Sequence, residues 1–125
     1  MQKTFFISGA LLAGLAVALG AWGAHGGAKY LDSATAITFE KAVRYQMHHA
    51  LALLFVAVSY KIWPTQTKLL NWAGFSFLAG IAFFSGSLYL IVFAKLAMGY
   101  FTPFGGVLFM IGWLSMAYAA FRSKE

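Results

Sequence analysis

The chain has 125 residues, 62% of them hydrophobic and 10% charged, with a mean hydropathy of +0.77. Soluble domains run near 45–50% apolar and about 25% charged, so a soluble globular domain is excluded and a membrane protein is expected. There is no cysteine, which excludes disulfides, thiolate metal sites and cysteine nucleophiles. The net charge of +6 sits beside apolar runs, as expected next to anionic lipid rather than on nucleic acid.

The predicted fold class is all-α: a single polytopic membrane domain over residues 1–125, an antiparallel bundle of four transmembrane helices. The spans are expected at about 5–24, 40–63, 69–94 and 101–121, each enough to cross roughly 30 Å of hydrocarbon. The first run, Phe5 to Ala24, follows Lys3 and contains Ala21-Trp22-Gly23, which together resemble a signal peptide. Its apolar run exceeds the roughly 7–15 residues of a signal core, so a retained span is preferred. Gly9 with Ala13, Ala10 with Gly14, and Gly20 with Ala24 are each four apart, which suggests a central helix small on several sides.

The loop from His25 to Phe39 holds Asp32-Ser33-Ala34-Thr35, read as a turn or short helix, with Thr38 as a capping candidate. The second span starts with Glu40, Lys41 and Arg44 and stops before Pro64. The third, Leu69 to Ala94, exceeds the bilayer's need, so tilt is expected. The fourth has Pro103 in its tolerated first turn. Trp22, Trp63 and Trp72 lie near span ends, as in an interfacial belt. Trp113 is mid-span and must face a helix or lipid tails. There is no lipidation motif, repeat or low-complexity segment.

Four spans put both termini on one side. Lys3, Lys61, Lys68, Arg122 and Lys124 then share that side against Lys29, Lys41, Arg44 and Lys95. This bias predicts a multi-pass protein of the cell inner membrane with both termini cytoplasmic. The same topology brings His25, Glu40, Arg44, Tyr45, Gln46, His49, Ser85, Ser87, Tyr89 and Thr102 into one half of the membrane. Arg44 lies roughly 28 Å from Trp63, at the opposite interface, and His49 about 7 Å deeper than Arg44. Tyr45 and Gln46 share a helix face with His49, whereas His48 points about 100° away. His49 is therefore the inward candidate of the pair, and Glu40 and Arg44 are expected to pair at i, i+4.

Intramembrane ionisable groups are costly and merit a functional reading. The structural reading, a histidine bonding across the bundle and serines bonding back to their helix, is favoured here. His25, His49 and Glu40 would suit a borderline divalent ion, but no i, i+4 histidine pair or HExxH motif supports one. His49 could ligate haem, and nothing else points to it. No Ser-His-Asp arrangement, phosphate loop or dinucleotide fingerprint is present.

Four segments resemble a known family. These are Gly20-Ala21-Trp22-Gly23-Ala24-His25-Gly26, then Phe39 through Tyr45-Gln46 to His49-Ala50-Leu51. They continue with Phe84-Ser85-Gly86-Ser87-Leu88-Tyr89, and end with Thr102-Pro103-Phe104-Gly105-Gly106 followed by Gly112-Trp113. The chain is similar over nearly its whole length to the domain of unknown function 423 family. That family includes YgdD-type inner-membrane proteins and transmembrane protein 256. His48 departs from the family pattern. The resemblance implies a four-helix membrane protein and no known activity. The leading expectation is a non-enzymatic structural or accessory protein without cofactor or bound metal. Its partners are the lipid bilayer and either a second copy of the chain (a homo-oligomer) or a membrane complex, and not nucleic acid. The alternatives are small-ligand, proton or metal binding around His25 and His49, or a small oligomeric transporter.

Overall fold

The computed structural model describes residues 1–124. It contains helices α1 (Gln2–Ala24), α2 (Ser33–Ile62), α3 (Thr67–Phe83), α4 (Ser85–Ala94) and α5 (Phe101–Arg122). Two short 3-10 turns join them, Ala28–Tyr30 and Pro64–Gln66, and no strand occurs among the described residues. α3 and α4 form one rod from Pro64 to Ala94, interrupted at Phe84. The break is local, because Phe84 still donates to the Gly80 carbonyl at 2.8 Å. A Ser85-Gly86-Ser87 run directly follows, and Gly/Ser pairs are a recognised cause of helix kinks.

Three rods are long and apolar enough to cross a membrane: α1, the α3–α4 rod and α5. α2 is longer than α1 and α5 at 30 residues, about 45 Å. Its stretch from Glu40 to His49 carries Glu40, Lys41, Arg44, Gln46, His48 and His49, which lowers its hydropathy. α2 begins about two turns before Glu40 because Asp32 accepts the Thr35 backbone N–H at 2.9 Å and caps the helix at Ser33. Thr38 lies inside the helix and donates to the Ala34 carbonyl. The Asp32 carboxyl, fully exposed, is held below its ordinary range chiefly by the Thr35 N–H.

α2, not α1, is the central helix. It packs on α1, α3 and α4, and its buried side chains include Leu53 and Val56. α1 packs almost entirely on α2 and exposes Phe6, Leu11, Leu15 and Val17. Gly9 makes the close approach: a Cβ there would lie 2.7 Å from the Ala50 carbonyl oxygen. Gly14, by contrast, faces open space. α5 packs mainly on α3. The shared core gathers Phe5, Leu53, Val56, Leu70, Phe77 and Phe109 from four helices.

The α3–α5 seam is built from a reciprocal pair of steps. Phe77 and Gly80 are three apart on α3, and Phe109 and Gly112 three apart on α5. Phe109 sits over Gly80, and Phe77 sits over Gly112, where a Cβ would come within 2.5 Å of the ring. Each aromatic ring fills the space that the opposite glycine leaves, which brings the backbones close in the absence of a hydrophobic driving force between helices. Above these steps, Gly105 abuts the backbone nitrogen and Cα of Phe84 at the break.

Candidate functional site

The polar side chains of the loop-side half divide into three sets rather than forming one pocket. The first is centred on Gln46, which is 2% exposed. Its Nε2 donates to the Leu12 carbonyl of α1 at 2.8 Å, and its Oε1 accepts the Tyr89 hydroxyl of α4 at 2.7 Å. One amide thereby ties three helices.

The second set lies at the start of α4. The Ser85 hydroxyl donates to the Ala42 carbonyl of α2 at 2.7 Å. Ser87 donates to the Phe84 carbonyl at 2.8 Å and lies 2.5 Å from the Thr102 hydroxyl of α5. The serines thus satisfy the break in the rod and fasten it on both sides.

The third set is His49. Its Nδ1 lies 2.8 Å from the Tyr45 carbonyl, and the Trp113 indole nitrogen lies 3.1 Å from its Nε2. An indole N–H can only donate, so Nε2 presents a lone pair. Nδ1 therefore carries the hydrogen, donates it to Tyr45, and the ring is neutral. Phe109 stacks on the imidazole with ring centroids 3.5 Å apart and planes 6° from parallel. Tyr45 stacks less closely, at 6.2 Å and 12°.

Gln46 and His49 point to different neighbours although they are three apart, because α2 is central. One flank meets α1 and α4, and the other meets α5. His25 stands exposed where α1 ends, and His48 is exposed on α2. Glu40 and Arg44 form an exposed ion pair at 3.3 Å, and Arg44 leans over the Tyr45 ring at 5.9 Å. Among the described residues no three His, Cys, Asp or Glu side chains gather as ion ligands. Nor is any buried side-chain nitrogen or oxygen there without a partner.

Trp113 is the participant that sequence reasoning left unplaced. Its signal was present: a mid-span tryptophan carries an N–H that needs an acceptor once it is out of water. Tyr60 and Asn71, which bond side chain to side chain between α2 and α3, carry a similar but weaker signal.

Relatives of matching length are found among bacterial membrane proteins. A UPF0382 membrane protein of Staphylococcus aureus (strain bovine RF122 / ET3-1) is 47% identical, covering 97% of this chain and 98% of its own. One of Staphylococcus saprophyticus is 43% identical over 97% of this chain and 99% of its own, and one of Staphylococcus haemolyticus 41% over 97% and 98%. No solved structure matches. Residues 19–106, which carry two of the three polar sets and the α2 half of the third, match the family described as "Protein of unknown function (DUF423)". The chain belongs to that family of small membrane proteins whose function is not established.

Proposed function

We propose that the protein is a four-span structural or accessory component of the bacterial inner membrane, non-enzymatic, with both termini in the cytoplasm. The observation that carries the reading is the pairing of polar side chains between helices. The buried Gln46, His49, Ser85 and Ser87 bond to backbone carbonyls, to the half-buried Tyr89 and Thr102 and to the exposed Trp113, and among the described residues no fully buried side-chain nitrogen or oxygen lacks a partner. Such bonds hold helices in register, each contributing about 0.6 kcal/mol on average in a bilayer.

α2 is the fourth span in this reading. From Arg44 to Ile62 it covers roughly 27 Å, and its charged residues lie towards its N-terminal end or face outwards. The helical build also suits an inner membrane, because single-chain proteins of the outer membrane are barrels. The slight excess of Lys and Arg on the terminal side supports cytoplasmic termini. The exposed apolar surface of α1 and α5 is available to lipid, to a second copy or to a membrane complex.

The absence of cysteine makes a direct test available. Single substitutions Tyr30→Cys, Thr65→Cys, Gly99→Cys and Ser123→Cys place a thiol in each connection and near the C-terminus. In intact cells an impermeant maleimide is expected to label only Tyr30→Cys and Gly99→Cys. Labelling of Ser123→Cys would reverse the orientation, and labelling of Tyr30→Cys together with Thr65→Cys would remove α2 as a span. Trp113→Phe tests the structural role, with an expected loss of about 0.5–1 kcal/mol of stability in detergent. A ligand or metal released from the purified protein by that change would overturn the structural reading.

A further inference from the structure

One face of α2 is left largely uncovered. Lys41, Arg44, His48, Leu51, Phe55, Val58 and Ile62 recur at steps of three and four and are all exposed. The stripe changes character along its length, from cationic to wholly apolar. Beside its middle runs a groove of about 570 Å³ between α2 and α5, a volume within the usual range for ligand sites. Its walls are His48, Phe55, Phe84, Met110 and Trp113, and Gly106 leaves it open near the Phe84 end. α2 and α5 do not pack closely along their length. The His49–Trp113 bond and the His49–Phe109 stack close the floor.

We propose that an anionic phospholipid seats here, its phosphate on Lys41 and Arg44 and one acyl chain in the groove. Three observations select this occupant. The first is charge. Arg44 and Lys41 lie on the stripe where it meets the interface, and arginine and lysine both recognise phosphate oxygens. Glu40 is the acidic residue in reach of Arg44 and holds it through an exposed pair, which a phosphate can replace at little cost.

The second is length. From Arg44 to Phe55 is roughly 16 Å along the helix, close to half of the roughly 30 Å hydrocarbon core. The cation-to-aromatic distance therefore matches one leaflet. The third is the lining. Gln46 and His49, the buried polar groups of this part of α2, are turned inwards and paired. What the groove offers an occupant is ring faces, methyls and the His48 edge near the headgroup level. A polar solute would find nothing to bond deeper in.

The proposal rests on α2 being a span. Failure of that premise appears in the cysteine map above, whereas failure of the lipid seat leaves that map unchanged. The test uses the full chain with Trp22, Trp63 and Trp72 changed to Phe, so that Trp113 alone reports. It is reconstituted in phosphatidylcholine vesicles with a minor share of phosphatidylglycerol, the dibrominated acyl chains being placed on one lipid or the other. Brominated phosphatidylglycerol is expected to quench Trp113 at least about fivefold beyond its mole fraction, the preference that each of the two surface cations can confer. K41Q/R44Q, at exposed positions, should abolish the preference while the melting temperature stays unchanged. Gly106→Leu, which fills the groove, should abolish it with both cations intact.

Equal quenching by the two lipids would overturn the seat. So would a preference that survives K41Q/R44Q, or one that survives Gly106→Leu and therefore belongs to the headgroup surface alone. Quenching by neither lipid would mean that a second copy or another protein covers the groove, and would also overturn it.

Discussion

The α1–α2 pair and the α3–α5 pair solve the same problem by different means. Both must bring backbones together without a hydrophobic force between helices. α1 does so by having little side chain: Gly9 lies against the Ala50 carbonyl, and the Gln46 amide reaches the Leu12 carbonyl from α2. α3 and α5 do so by fit, with Phe77 over Gly112 and Phe109 over Gly80. The first seam is fixed by the Gln46–Leu12 hydrogen bond and by a single ring, Phe39, seated over Gly23. The second has its register written into the rings. Close approach in a membrane can thus come from absence of bulk or from complementary bulk, and the second is the less forgiving.

Four experiments would break or sharpen this contrast. The largest effect is expected from Gly105→Val, because the new side chain meets the backbone of Phe84, which cannot swing aside. A loss of about 3 kcal/mol or more is expected, read as the thermal melting of the purified protein in detergent. Next is the reciprocal step itself. Gly112→Ala alone should cost about 2 kcal/mol through the Phe77 ring, and Phe77→Leu should recover part of it. A double-mutant cycle should therefore show a coupling of about 1 kcal/mol or more; additivity would mean that the ring and the glycine do not constrain each other.

On the other seam, Gly9→Ala should destabilise by about 1–2 kcal/mol, since its Cβ meets a carbonyl oxygen. Gly14→Ala should be neutral or stabilising by up to about 1 kcal/mol, because open space surrounds that position. Equal melting temperatures for the two would remove the close approach at Gly9. The smallest effect belongs to Asp32. Its carboxyl is depressed in the folded state, so the cap's contribution is present above the unfolded carboxylate range and fades as pH falls through the lower folded value. Hydrogen exchange at the Thr35 amide should accelerate, relative to its neighbours, below about pH 4. Asp32→Asn keeps a capping side chain and should remove that pH dependence.

The helical architecture was legible because uncharged runs of some twenty residues have few other uses. The internal arrangement was less so. The small residues of α1 suggested a central helix, yet Gly9 is used and Gly14 is not, a distinction that depends on which face meets a neighbour. The start of α2 was missed because Asp32 and Thr35 precede the apolar pattern, and local capping decided the boundary. Span order groups the polar residues only by expected depth. It could not separate Gln46 from His49, since that follows from α2 having neighbours on opposite flanks. His25 and the Glu40–Arg44 pair share the depth of the cluster but lie on the surface, because depth alone does not fix azimuth.

The rod keeps its helical phase through Phe84, since Phe84 and Leu88 still donate to carbonyls four residues back. Below Phe84 it packs on α5 and α2; above, it meets α2 through Ser85 and Tyr89 and α5 through Ser87. Adding or deleting a residue near Phe84 would turn α4 by about 100° relative to α3, so that Ser85 and Tyr89 would lose their acceptors on α2 and Ser87 its Thr102 partner together. The length of the chain between Phe77 and Tyr89 is therefore as constrained as its composition, and a one-residue insertion there would be felt at the contacts with α2 and α5 at once.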